Sequence, residues 1–261
     1  MPNDSLSDAQ VAIAAASAGA AEVRARYGQP VERFAKEGTD FATSADLASE
    51  AAIRAVVTVQ RPDDAMIGEE EGRSGPDDAV RRWLVDPLCG TRNFAATTPL
   101  VAVNVALHSD SGALAAASAD PISGEVFWTD GAGAWVRRDG TDTPLAPSAR
   151  SLLVDLDLDH ADGGHSFHLM SHPAFLRDYQ PRVSSTTLAM TWLADGRRAG
   201  YVHEGDLRDN VHFAAPVAIA RAAGCVVTGV QGQPLDVAPY GLLAAADAAT
   251  HAILLALLLD R

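Results

Sequence analysis

Cysteine is nearly absent: the 261 residues include two, Cys89 and Cys225, far apart and without repeated spacing. That excludes a disulfide framework and a four-ligand zinc knuckle, and makes reduced thiols in a cytoplasmic protein the expectation. Positive charge is also scarce. With 20 Lys+Arg against 34 Asp+Glu the formal net charge is −14, which argues against nucleic acid or an anionic membrane surface as a partner. An anionic substrate would need local compensation, and a bound metal is one way to supply it. No stretch approaches the roughly 20 apolar residues of a membrane span. Met1 to Asp8 lacks both a basic start and an apolar run, so the chain reads as soluble and unexported. The apolar run Ala252 to Leu259 is too short to span and reads as a buried final helix. There is no internal repeat.

What is present falls into two patterns, which divide the chain at residues 1–145 and 146–261. In the first, Ser and Asp precede an Ala-rich stretch from Ser5 to Tyr27 that stops at Gly28, the pattern of a capped helix. A second helix is expected from about Ala45 to Val59, capped by Ser44 and ended by Arg61-Pro62, after an irregular polar stretch from Lys36 to Thr43. Short apolar runs at 65–67, 83–85, 101–107, 113–119, 126–129 and 134–136 then alternate with turn residues, as in a mostly antiparallel sheet. In the second half, strands at 152–156, 200–202 and 226–230 alternate with helices near 173–179, 187–195, 211–223 and 248–259, an α/β pattern. His160 to His168 reads as an irregular loop.

Three segments place acidic or hydroxyl groups beside turns: Asp40 to Asp46, Ile67 to Gly72 and Trp83 to Phe94. In the third, a strand runs into Asp86-Pro87 and then Gly90-Thr91, so that Asp86 projects from a strand end where backbone carbonyls are also free. Hard divalent cations such as Mg²⁺ take carboxylate and carbonyl oxygens of this kind, gathered from several loops.

These segments resemble the inositol monophosphatase family of metal-dependent phosphatases. The family's motif WxVDPxDGTxNF meets WLVDPLCGTRNF here, matching at eight of nine fixed positions: Trp83, Val85, Asp86, Pro87, Gly90, Thr91, Asn93 and Phe94. Its GEE motif matches Gly68-Glu69-Glu70, and its DxxTxxD segment matches Asp40, Thr43 and Asp46. Its G-x-GA turn resembles 131–134, and its EAGG…GxPL tail resembles 222–225 with 232–235. The resemblance implies an αβαβα layered sandwich of mixed α+β and α/β character, commonly dimeric. It implies hydrolysis of a small phosphate monoester, an inositol, sugar or related polyol phosphate, by metal-activated water. Carried over by position, it gives Glu69, Asp86 and the backbone carbonyl of Leu88 to a first metal site, Thr91 and Asp46 to the attacking water, and the Gly90-Thr91 backbone to the phosphate.

Two departures accompany the match. Cys89 stands where the motif has its second aspartate, and His212, in Val211-His212-Phe213-Ala214-Ala215, stands where the family's WDxAA segment has another. Both aspartates would be ligands of a second metal. Three outcomes are open: the second Mg²⁺ site is lost; Asp86, Cys89 and His212 form a site for Zn²⁺, Mn²⁺ or a similar ion; or Asp206 or Asp209 substitutes, Asp209 being equally placed as a helix N-cap. A member that binds a phosphorylated ligand or partner without efficient hydrolysis is the alternative function. Outside the motifs, Cys225 and the tryptophans at 83, 128, 135 and 192 read as packing residues, His203 as a surface histidine near the substrate mouth, and Arg92 as a loop arginine.

Overall fold

The computed structural model describes residues 6–36, 38, 40–159, 164–208 and 210–260. The expectations for Met1 to Ser5, His160 and Asp209 lie outside the described residues. Helix α1, Asp8–Arg26, is capped reciprocally by Ser7 and Gln10. A small hairpin follows, β1 Arg33–Ala35 and β2 Phe41–Thr43, in part of the stretch expected to be irregular. Helix α2, Ser44–Gln60, begins one residue earlier than expected, because Thr43 and not Ser44 is its cap: Thr43 Oγ1 accepts from Ala45 N while the Asp46 carboxylate accepts from Thr43 N.

Strands β3 Ala65–Gly68, β4 Gly72–Ser74, β5 Arg82–Cys89, β6 Ala102–Ser109, β7 Gly112–Ala119, β8 Val126–Thr129, β9 Ala134–Arg138 and β10 Thr141–Pro144 form one sheet in the order β10-β9-β8-β7-β6-β5-β3-β4, with helix α3, Thr91–Ala95, after β5. Its pairs are antiparallel except β3 with β5. The second sheet joins β11 Leu153–Leu156, β12 Gln180–Val183, β13 Gly200–His203, β14 Val226–Thr228 and β15 Leu242–Ala245 in the order β12-β11-β13-β15-β14. Helices α4 His165–Ser171, α5 Pro173–Asp178, α6 Leu188–Ala194, α7 Val211–Ala223 and α8 Ala248–Leu259 complete the chain.

Three apolar clusters stack these elements into five layers. One fills the space between α1, α2 and the large sheet. A second joins the other face of that sheet to α6, α7 and the small sheet. A third packs α4, α5 and α8 on the small sheet's far face. The order is the αβαβα sandwich that the resemblance implied. Short polar strands such as β4, β10 and β12 carry no apolar alternation and sit at sheet edges, where half their backbone faces no strand. Helix α4 occupies part of the segment read as loop. The last helix is buried on one face only, since Ile253 and Leu259 are 49% and 50% exposed. Among the described residues no helix is long and apolar enough to cross a membrane.

Helices α1 and α2 pack tightly against each other at Gly19. A Cβ at Gly19 would meet Ser49 Oγ at 2.6 Å and Ile53 Cδ1 at 2.8 Å. Glycine to alanine in an unhindered helix stabilises by about 1 kcal/mol, but overpacking here costs ~1–3 kcal/mol. Gly19→Ala is expected to lower the urea midpoint; a raised midpoint would show that the helices can part without penalty.

Candidate functional site

The site assembles where β5 ends. The β5–β6 register shifts between Asp86 and Cys89, around Pro87, which has no N–H to give the ladder. That bulge frees the Leu88 carbonyl, and Gly90, at φ 88°, turns the chain into α3 where a Cβ would sit 2.6 Å from Leu100 O. Asp86 is fully buried and held on three sides. Its Oδ1 accepts Leu88 N at 3.2 Å, and its Oδ2 accepts Asn104 Nδ2 at 3.3 Å and faces His212 Nδ1 at 2.8 Å. Ser118 Oγ donates to Asn104 Oδ1 at 2.7 Å, which fixes the amide so that its nitrogen points at Asp86 and Thr187.

Glu69 arrives on the β3–β4 turn. Glu69 N donates to Val85 O, and the next two backbone amides, of Glu70 and Glu71, donate to the buried carboxylate of Glu50 at 2.8 and 3.1 Å. Gly68 is required there, because a Cβ would stand 2.1 Å from Glu50 Oε1. Of the two glutamates left open by the sequence, Glu70 is buried and bonded to Lys36, whereas Glu71 is 54% exposed and paired with Arg54.

Glu69, Asp86 and His212 each offer a ligand atom within 4.8 Å of the others. His212 reaches it from the first turn of α7, whose cap is Asn210: its Oδ1 accepts from His212 N and Phe213 N. The cap expected of Asp209 is thus supplied one residue later. Cys89 is not brought into the group. Its sulfur accepts Thr187 N at 3.4 Å, and burial, with the charge of Asp86 adding, pushes the thiol well above its ordinary range. Cys89, offered by the resemblance as a ligand beside Asp86 and His212, lies in the same cleft but outside the Glu69, Asp86 and His212 group. Asp206 also stays out, paired at the surface with Arg208.

Beside this group lies the Thr91–Asp46 pair. Thr91 Oγ1 has Asp46 Oδ1 at 3.0 Å and Leu88 O at 3.2 Å as acceptors, while Thr43 donates to Asp46 Oδ2 through N and Oγ1. Burial raises the Asp46 pKa to about 6 against these hydrogen bonds. A cleft of about 530 Å³ takes in Asp40, Glu69, Leu88 to Asn93, Ser185 to Thr187 and His212. Asn93 ties its walls together, its Nδ2 donating to Leu100 O at 3.0 Å and Ser185 O at 2.8 Å.

Several participants were not singled out from the sequence. Lys36, the chain's one lysine among 20 basic residues, bonds Glu69 Oε1 at 2.9 Å and Glu70 Oε1 at 2.7 Å, and its isolation in the composition was an available signal. Glu50 and Asn104 had none, since each acts through a partner remote in sequence. His203 was expected at the surface but is 3% exposed: its Nδ1 lies 3.1 Å from Asp157 Oδ2, its ring packs on Phe213, and both it and Asp157 line the cleft.

Burial and crowding of charge set the protonation of these side chains. Burial and the neighbouring Asp86 raise Glu69 to about 8, against the pull of His212 and Lys36. Burial opposes a charge on His212, but Asp86, with help from Glu69, outweighs it and raises the pKa to about 9. Asp46, Glu69 and His212 thus all release protons at higher pH folded than unfolded, so the stability they contribute is present at low pH and lost as pH rises through 6, 8 and 9. Above about pH 5.5, carboxylates with lowered pKa are ionised in both states and add no slope. Chelator-treated protein is expected to show a falling urea midpoint from pH 5.5 to 9, with a shallower fall in Glu69→Gln. A midpoint that rises over this range would show that the cluster is not held as described.

Known proteins resemble this chain in sequence and in fold. A model of the inositol monophosphatase family matches residues 4–260. An inositol-1-monophosphatase of Caulobacter vibrioides is 32% identical over 184 residues, 66% of this chain and 70% of the relative. A probable inositol 1-monophosphatase of Mycobacterium tuberculosis is 33% identical over 219 residues, 80% and 78% of the two chains. Among solved structures, the extragenic suppressor protein SuhB from Bartonella henselae superposes with a TM-score of 0.85 at 25% identity, covering 96% of this chain and 97% of that one. The chain belongs to the inositol monophosphatase family, and with it to the phosphoric monoester hydrolases.

Proposed function

We propose that the chain is a metal-dependent phosphatase that hydrolyses a small phosphate monoester, an inositol, sugar or related polyol phosphate, using an activated water. The observation that carries this reading is the convergence of Glu69, the buried Asp86, the Leu88 carbonyl and the Thr91–Asp46 pair beside a single cleft, which Glu69, Leu88 and Thr91 line. The donor set fits one divalent ion: Glu69, Asp86 and the Leu88 carbonyl supply the oxygens such ions take. When bound, the ion supplies Lewis acidity toward a phosphoryl oxygen and lowers the pKa of water.

The chain's own groups do the rest. Thr91 Oγ1, its hydrogen directed at Asp46 or Leu88 O, keeps a lone pair to orient a water at the cleft wall. Asp46, with a pKa of about 6, is matched to accept a proton near neutral pH through that hydroxyl. The turn at Gly90 and Thr91 forms the phosphate-facing wall, and Arg92 and Lys36 offset the charge of an anionic substrate in a protein of net charge −14. Farther along, Asp157, Asp159, Ser185 and His203 offer acceptors and donors suited to hydroxyl groups.

Protein stripped of metal and resupplied with Mg²⁺, Mn²⁺ or Zn²⁺ is expected to release phosphate from a panel of polyol and sugar monophosphates. Glu69→Gln and Asp46→Asn should each lower kcat by ~10²–10⁴ with little change in fold. Silence of the folded wild type across ions and substrates would favour the alternative, a member that binds a phosphorylated ligand without turning it over.

A further inference from the structure

We infer that this chain binds a single divalent ion per site, with His212 Nδ1 as a nitrogen ligand beside Glu69 and Asp86, and that it selects a borderline ion such as Zn²⁺ over Mg²⁺. The inference rests on the metal site of the proposed phosphatase and concerns which ion that site holds. Three observations carry it. His212 Nδ1 lies 2.8 Å from Asp86 Oδ2 and 3.8 Å from Glu69 Oε2, so one ligand atom of each residue falls within 4.8 Å of the others, and the three side chains would hold an ion together if the imidazole gave up its hydrogen bond to Asp86. Asn210 anchors the first turn of α7, which sets the ring's position from the backbone. Cys89 meanwhile has its sulfur engaged by Thr187 N and lies outside the Glu69, Asp86 and His212 group, and Asp206 is engaged with Arg208.

A second Mg²⁺ therefore finds neither of the oxygen ligands that the family pattern places at positions 89 and 212. Two carboxylates and one imidazole make a mixed oxygen and nitrogen set. Imidazole suits Zn²⁺ and other late first-row ions, whereas Mg²⁺ demands oxygen and gives up its waters reluctantly. The carboxylates have their own outer partners, Lys36 and Asn104, which orient them without occupying every oxygen lone pair.

The test uses the full chain, stripped of metal, with bound ions counted by elemental analysis after dialysis against Mg²⁺ and Zn²⁺ in competition. Mn²⁺, which accepts either donor type, serves as the paramagnetic probe. The expected result is one ion per chain, a preference for Zn²⁺ over Mg²⁺ of roughly tenfold or more, and nitrogen coupling in the pulsed EPR spectrum of the Mn²⁺ form. That coupling should vanish in His212→Asp, and the preference should move toward Mg²⁺. Circular dichroism identifies a variant that fails to fold, in which case His212→Asn repeats the loss of coupling with a side chain nearer in size. Two Mg²⁺ per chain, or Mn²⁺ without nitrogen coupling in the wild type, would overturn the inference, and phosphate release under those conditions would leave the phosphatase reading standing. Nitrogen coupling in a protein that releases no phosphate would do the reverse.

Discussion

Two carboxylates, Glu69 and Asp86, are held close together and largely out of water, and their repulsion is the constraint that the surrounding structure answers. Buried like charges are tolerated only where donors or cations meet them. Here Lys36 meets one, His212 meets the other at Oδ2, Asn104 donates to that same oxygen, and the Leu88 amide donates to Asp86 Oδ1. The same partners fix where the carboxylate oxygens point. Each is delivered by a different element: the β1–β2 hairpin, α7, β6 and the β5 bulge. Loss of one therefore leaves a buried charge without its partner, whose penalty exceeds that of a missing surface contact.

The backbone around the pair is organised to the same end. Glu50, fully buried on α2, accepts the amides of Glu70 and Glu71, so the turn that carries Glu69 is pinned from behind by a third carboxylate. Arg54, one turn later on α2, neutralises Glu50. Gly68 leaves room for that carboxylate, and Ser49 Oγ donates to Pro87 O at 2.7 Å, joining α2 to the bulge. Helix α2 thus supports both acidic turns at once, which is why its alanine-lined packing on α1 matters to a site that α1 never touches.

The layers decide what faces the cleft. The large sheet contributes Asp86 and Asn104, α7 contributes His212, and the small sheet contributes His203 with the residue after β11, Asp157. Asn93 bridges to Ser185 across the gap, so the two halves of the chain share one wall.

The sequence by itself determined the motif turns and most of the regular elements, because those depend on neighbours. Val211–Ala223 and Ala248–Leu259 carry their limits in local capping and apolar pattern, and Glu69, Asp86, Thr91 and Asp46 were grouped by the resemblance of their motifs to the family's. Tertiary structure decided everything set by remote partners. The partner of the Cys89 sulfur is the amide of Thr187, 98 residues away, and His203 is buried because Asp157 and Phe213 receive it. Lys36 becomes a counterion only once the β1–β2 hairpin sets it beside Glu69 and Glu70. Local pattern reports propensity and turn chemistry, but the direction of a side chain and the charge it meets are fixed only when distant segments pack.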